Sequence, residues 1–472
     1  MRPSNKVFEW TRLGKTLVQY VEYKIAGPAV LSMLMMVGAA APVFGQPDYI
    51  LDQSPAPKSA EEVEGALTEG FADVPRAPSL FPELRQKLKD LGPFFADSML
   101  AIRPRTYFLT RDNSAENDLQ AWAIGGALDY ASGWWQDRLG VAATLYTSLR
   151  LHGPEDKDGT LLLKPIQESF TVLGEAYARL KLTEGTDLRA FWQTFDLPYL
   201  NEQDGRMVPN TFEAYIVLGH QTLPGFDFIA GHVREMKTRA SHRFVSMSEA
   251  AGFEGTNDGL TTAGANYSFG DGFAIGAINH YAWNFMNTFY AEANGQVNLF
   301  DQVPVSASLQ YTDQRSIGDA FGGRFATQTG GARLAVSYRN AILTLAGTLT
   351  DRNSDIRSPF GGRPSFLSIM VNDFDRAGEA AWLIGASYHF DSVGLNGLSA
   401  FTNYAVGNTP ETGSTASPDR REWDVTVDYR PPFELLTGFW LRLRRARVWE
   451  ERPNNNDLVD YRIIINYRFQ IL

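Results

Sequence analysis

Residues 461–469 read "YRIIINYRF", with only "QIL" behind them. In a strand the side chains change face at every residue, so Tyr461, Ile463, Ile465, Tyr467 and Phe469 share one side and Arg462, Asn466 and Arg468 the other. Two folds produce such a strand: a soluble sheet with its apolar face on a core, and a membrane barrel with its apolar face on lipid. The residues upstream weigh the two against each other.

The same alternation recurs all the way from residue 98. In "RLGVAATLYTSLR" (138–150), Leu139, Val141, Ala143, Leu145, Thr147 and Leu149 oppose Thr144, Tyr146, Ser148 and Arg150. In "SFTVLGEAYARLKL" (169–182), Phe170, Val172, Gly174, Ala176, Ala178, Leu180 and Leu182 oppose Thr171, Glu175, Tyr177, Arg179 and Lys181. Similar segments cover 303–311, 332–338, 343–349, 382–390, 398–404 and 423–429, separated by Gly, Asn, Asp and Pro clusters, as transmembrane strands and their turns require. Tyr130, Tyr267, Phe269, Tyr311, Tyr338, Tyr388, Phe390, Trp423 and Tyr429 fall at segment ends, the pattern of two interfacial girdles and not of a soluble sandwich. Spacing alone gives roughly 16 to 20 strands at about 20 residues per strand and connection, enough to enclose an aqueous lumen.

Composition agrees. The chain has 472 residues, 42 of them glycine, 12% aromatics, no cysteine and a mean hydropathy of -0.23. Beyond the leader no apolar run approaches the length of a spanning helix, whereas barrel strands show lipid only every second residue and keep hydropathy low. The missing cysteine removes disulfides, thiolate zinc sites and thiol nucleophiles together. A net charge of -11 argues against nucleic acid as a partner.

Residues 1–45 read as a secretory signal peptide, with an apolar stretch and small residues before a cut after Gly45; a retained single-span anchor is the competing reading. Residues 46–97 form an acidic, Pro-rich segment, a periplasmic tail or a plug, with a short amphipathic stretch at 82–91. Residues 98–472 read as an outer-membrane barrel.

No motif announces an enzyme. The six histidines are scattered without metal-ligand spacing, and neither a GxSxG elbow nor a phosphate loop is present. No catalytic residue, cofactor or metal is assigned. Inward-facing cations carry more information: Arg103, Arg105, Arg179, Lys181, Arg333, Arg339, Arg442, Arg444, Arg462 and Arg468 all fall on polar faces. They are either wall charges paired with carboxylates or a ladder that passes anionic solutes, since guanidinium groups bind carboxylates in a two-pronged, exchangeable way.

"RTYFLTRDN" (105–113) followed by "AWAIGGALDYASGWW" (121–135), "TFDLPYLNEQDGRMVPNTFEAYIV" (194–217) and "DYRPPFELLTGFWLRLRRARV" (428–448) stand in an order and spacing that resemble the OprD family of outer-membrane porins. The resemblance runs from about residue 98 to the C-terminus. It implies an all-β fold, a transmembrane antiparallel β-barrel of about 18 strands with an inward-folded constriction loop near 198–210. Tyr199, Asn201, Asp204 and Arg206 are then eyelet candidates, or members of a well-formed turn. It further implies an outer-membrane location, a monomer or loose homotrimer among lipid and lipopolysaccharide, and passive diffusion of small carboxylate-bearing solutes such as amino acids or aromatic acids along a basic ladder. A structural barrel whose lumen is filled by the 46–97 segment stays open as an alternative, the long stretches at 153–168, 237–261, 312–331 and 351–380 keep an adhesin or receptor barrel open as well, and a barrel enzyme is a more distant reading.

Overall fold

The computed structural model describes residues 81–114, 116–270, 272–299, 303–451 and 457–472. The leader expected at 1–45 and the segment 46–80 lie outside the described residues. Two short helices come first, α1 (Pro82–Lys89) and α2 (Pro93–Ala96), each opened by a proline whose fixed φ suits a first helical turn. Helix α2 is tied to the turn at 132–138, where the Gly133 amide donates to Phe94 O at 3.0 Å.

Eighteen long strands follow among the described residues. They are β1 (Met99–Asn113), β2 (Leu119–Ala131), β3 (Leu139–His152), β4 (Phe170–Thr183), β5 (Thr186–Gln193), β6 (Thr211–Leu223), β7 (Phe226–Lys237), β8 (Leu260–Ser268) and β9 (Phe273–Ala282). Then come β10 (Met286–Leu299), β11 (Val303–Ser316), β12 (Ala326–Tyr338), β13 (Ala341–Thr350), β14 (Ala380–His389), β15 (Leu398–Asn408), β16 (Arg420–Tyr429), β17 (Trp440–Glu450) and β18 (Leu458–Asn466). Each pairs antiparallel with the next, and β18 returns to β1 with Asn466 opposite Arg105 and Leu458 opposite Asn113. Closure leaves no unpaired edge, which is what allows a sheet to stand in lipid.

Connections are short at one end (184–185, 224–225, 339–340) and long at the other (153–169, 194–210, 238–259, 351–379). Short turns mark the periplasmic rim and long loops the outer one. Along the strands, Ile124, Leu128, Val141, Leu145, Leu343, Leu345, Trp382, Ile384, Tyr461 and Ile463 are exposed while their sequence neighbours are covered. In water such a belt would aggregate; facing lipid, it is the surface that holds the barrel in the membrane. The closing strand follows the reading of "YRIIINYRF": Tyr461 and Ile463 point out, and Arg462, Asn466 and Arg468 are buried.

Register slips interrupt several strand pairs, beside Trp122, Lys181, Glu213 and Gly219 among other places, and the slip in β4 turns residues expected on the lipid face inward. The β3–β4 register slips between Thr144, opposite Glu175, and Leu145, opposite Leu173, so Gly174 is an extra residue in a β-bulge. Phe170 and Val172, expected on the lipid face, are therefore buried inside, and the alternation resumes in phase only after the bulge. A Cβ on Gly174 would stand 2.7 Å from the Tyr146 ring, so glycine is what fits.

The turned-in residues join an apolar cluster inside the barrel. Phe170, Val172, Tyr107 and Tyr146 meet Leu162 and Leu163 from the β3–β4 loop and Met207 and Val208 from the β5–β6 loop. A second cluster joins Phe195, Tyr199 and Leu200 of the β5–β6 loop to Ile356 and Phe360 of the β13–β14 loop, against Phe212, Ile216 and Met286 of the wall. Burying each such side chain is worth roughly 1.5–3 kcal/mol, enough to hold these loops in the interior.

Candidate functional site

The β5–β6 loop (194–210) turns into the barrel around a two-rung hairpin, Asp196–Leu197 against Leu200–Asn201. Tyr199 takes a left-handed conformation at its tip (φ 63°) and is buried. Its hydroxyl lies 2.9 Å from Thr312 Oγ1 on β11, and Pro198 O lies 2.7 Å from His280 Nε2 on β9. Asn201 bridges to the other inward loop: its amide donates to Gly362 O (2.9 Å) and accepts from Gly362 N (2.7 Å). Asp204 receives a two-pronged bond from Arg105 on β1 (2.7 and 3.0 Å), while Arg105 also donates to Asn466 Oδ1 (2.8 Å) and to Arg206 O. Tyr199, Asn201 and Asp204 thus spend their polar groups on holding the loop. Arg206 donates from Nε to Thr160 O at 2.8 Å and remains half-buried.

The β13–β14 loop (351–379) is a second inward loop, where only an outer stretch was expected. Arg357 exchanges two bonds with the Gln314 amide on β11 (2.7 and 2.8 Å). Across the lumen, Val371 N and Asn372 N both donate to Glu422 at 2.8 Å, and Met370 O accepts from Arg462 at 3.0 Å. The sequence did carry a signal. Ile356, Phe360, Phe366, Leu367, Ile369, Met370, Val371 and Phe374 make this stretch too apolar for a loop bathed in water. A cavity of about 530 Å³ opens beside it, lined by Arg357, Arg363, Arg376 and Arg420 together with Asp355, Asp373, Asp375 and Glu379.

The ten wall cations separate by position. Arg179 and Lys181 serve the turn at 132–138: Arg179 donates to Ser132 O (3.1 Å), Lys181 pairs with Asp137 (2.8 Å), and both lie over Trp134. Arg339, expected on a strand's polar face, instead occupies the β12–β13 turn with φ 53°, its guanidinium over Tyr338; a two-residue turn needs left-handed backbone there. Arg333 stands inside, over Phe366 of the β13–β14 loop. The other six, Arg103, Arg105, Arg442, Arg444, Arg462 and Arg468, lie on β1 and, across the seam where β1 meets β18, on the β17–β18 side of the barrel.

On this wall the register sorts charge into rows. Arg442 faces Asp428 and pairs with it (2.8 and 2.9 Å), and Arg103 pairs with Asp129 (2.5 and 2.6 Å). One row toward the outer rim, Arg444 stands opposite Thr426 on one side and Arg462 on the other, so two arginines adjoin. Next comes Asp460, fully buried and shared by Arg462 and Arg111, each at 2.8 Å. The β5–β6 loop brings Arg206 toward this double-arginine row, and Arg239, from the β7–β8 loop, joins it. Burial, then Arg462 and Arg239, push the Arg206 guanidinium down to about 9; burial and Arg462 likewise push Arg239 down, to about 10. The Arg239 guanidinium makes no hydrogen bond to another described residue. Sequence reasoning missed Arg239 because it lies in a loop beyond any alternating segment.

A closed barrel with an apolar outer belt and charged loops folded into its interior is the architecture of an outer-membrane porin. Solved structures share it. One is OccK9 (OpdG) of Pseudomonas aeruginosa, 23% identical, TM-score 0.73, matched over 80% of this chain and 100% of that one. OpdK of the same organism, solved with vanillate, is 22% identical with a TM-score of 0.71 over the same shares. A BenF-like porin from Pseudomonas fluorescens Pf-5 is 20% identical with a TM-score of 0.71, again over 80% and 100%. The chain belongs to the OprD family of outer membrane porins, whose model matches residues 92–471. Comparison with curated proteins finds no match.

Proposed function

We propose that this porin passes small carboxylate-bearing solutes by passive diffusion, selecting them at the place where the two inward loops meet the arginine-bearing wall. The observation that carries the reading is the gathering of Arg206, Arg239, Arg444 and Arg462 in one region, two of them adjacent across a strand pair. Like charges so placed repel one another, and a carboxylate relieves that repulsion while accepting charge-assisted bonds. Such bonds are exchangeable because Arg206, Arg444 and Arg462 also keep protein partners. The vanillate in the OpdK structure is an aromatic carboxylate, which fits the same chemistry. In this reading residues 1–45 are removed on export, and the ladder narrows to the arginines inside the barrel, without Arg179, Lys181 and Arg339 at its periplasmic rim.

Single-channel recording of the refolded chain from Gln46 onward tests it. In a salt gradient the reversal potential should show anion preference. Benzoate should interrupt the current more than gluconate or arginine, and the double change Arg239→Ala with Arg444→Ala should weaken that block about tenfold or more, as expected for losing bonds to a charged group. Cation preference, or block unchanged in the double variant, would overturn the reading.

A further inference from the structure

Alternation along β17 puts Arg442 and Arg444 inside, and it puts Arg445 and Arg447 outside, on the belt that faces lipid. Arg447 is exposed, and Arg445 is half-covered. Arginine on a lipid-facing surface is costly near the membrane's midplane and tolerated only where it can reach the interface.

Their surroundings define that level. Arg447 stands opposite Trp423 of β16, and its guanidinium lies 5.0 Å from the Trp449 ring centre. Arg445 stands opposite Tyr461 of β18; its Nε donates to the Tyr461 hydroxyl at 3.2 Å, and its guanidinium lies 5.6 Å from that ring and 6.0 Å from Trp423. Tryptophan and tyrosine mark the headgroup level, and β17 ends at Glu450 toward the long-loop, outer side. Among the described residues neither arginine is bonded to a carboxylate. The adjacent exposed Arg421, by contrast, is matched by Glu451 at 2.5 Å. Aromatic rings flank both guanidinium groups, and a guanidinium stacked on a ring keeps its N–H edge free to bind an anion.

We infer that Arg445 and Arg447, framed by Trp423, Trp449 and Tyr461, form a binding site for a phosphate-bearing lipid headgroup of the outer leaflet. Charge complementarity carries the assignment: two cations without acidic partners at interface depth fit a phosphate, which accepts two-pronged bonds from guanidinium. A second copy of this chain would need a carboxylate on its own lipid face to satisfy them.

Native mass spectrometry of the full barrel released from mild detergent, with bisphosphorylated lipid A as probe, tests the site. The wild-type barrel should retain one lipid A under activation that strips a fully dephosphorylated form. The double change Arg445→Ala with Arg447→Ala should reduce retention at least tenfold, while Arg234→Ala, an exposed arginine paired with Glu213, should leave it unchanged. Equal retention of phosphorylated and dephosphorylated lipid by the wild-type barrel would overturn the inference, and this needs no variant to fold. So would undiminished retention in the double variant. Cross-linking between two copies through cysteine placed at position 447 would assign the patch to an oligomer contact and overturn it as well.

Discussion

Two walls of this barrel read alike in sequence and differ in what they do. On β11 and β13 the inward polar positions are Ser306, Ser308, Gln310, Thr312, Gln314, Thr344, Thr348 and Thr350, neutral hydroxyls and amides, with Arg333 of the intervening β12 over Phe366. On β16 to β18 they include the charged Glu422, Asp424, Asp428, Arg442, Arg444, Asp460 and Arg462. The neutral wall holds the inward loops through uncharged bonds, such as Thr312 to Tyr199 and Gln314 to Arg357. The charged wall holds them through Glu422 and Arg462 and still gathers cations in one row. Among the strand side chains, screening by salt therefore acts mainly on one side of the lumen.

The largest effect expected from this difference is at Asp460. Asp460→Asn leaves buried Arg462 and half-buried Arg111 without their shared carboxylate and should cost about 3–5 kcal/mol, the usual loss when one member of a buried ion pair is removed. Urea unfolding followed by tryptophan fluorescence measures it. A loss no larger than that of Thr312→Val on the neutral wall would erase the contrast.

Function should divide the same way. Raising ionic strength from about 0.1 to 1 M shortens the screening length from about 10 to about 3 Å and should weaken benzoate block at least several-fold in the wild-type channel. The channel lacking Arg239 and Arg444 should show little of that dependence. Equal salt sensitivity in both would place selectivity elsewhere.

Tyr199→Phe should be milder. It removes one hydrogen bond, worth about 0.5–1.5 kcal/mol, at a loop tip that keeps its apolar contacts. Greater open-channel noise with unchanged anion preference is the expected record; altered selectivity would mean that the neutral wall also discriminates.

The smallest effect concerns Glu202, in the β5–β6 loop. Burial, then Asp204 and Asp196, push its carboxyl well above the ordinary range. A raised carboxyl contributes stability that is full below the ordinary carboxylate pKa and is lost as pH rises through the folded value. Loop noise should therefore increase from acid toward alkaline pH, and Glu202→Gln should flatten the trend. A wild-type channel quieter at high pH would reverse the sign and refute this account.

Strand faces were legible because period-2 alternation is local: Arg462 and Ile463 could be assigned from their neighbours alone. The bulge at Gly174 was not, since an extra residue only shows itself against the register of a partner strand. The second inward loop was equally hidden. Asn201 and Gly362 are 161 positions apart, and no local spacing links them. Pairing escaped as well. The alternation showed where Arg442 points, but only the register put Asp428 beside it and left Arg444 next to Arg462.

The Arg111–Asp460 pair crosses the seam where the last strand meets the first, joining residues 349 positions apart. Until β18 arrives, the sheet has two open edges, so the barrel cannot close before its final residues are available. A slip of one residue at that moment would turn Asp460 toward hydrocarbon and Tyr461 inward. Misaligned closure would therefore be penalised by an unmatched carboxylate in lipid, and this ion pair acts as a check on register during assembly.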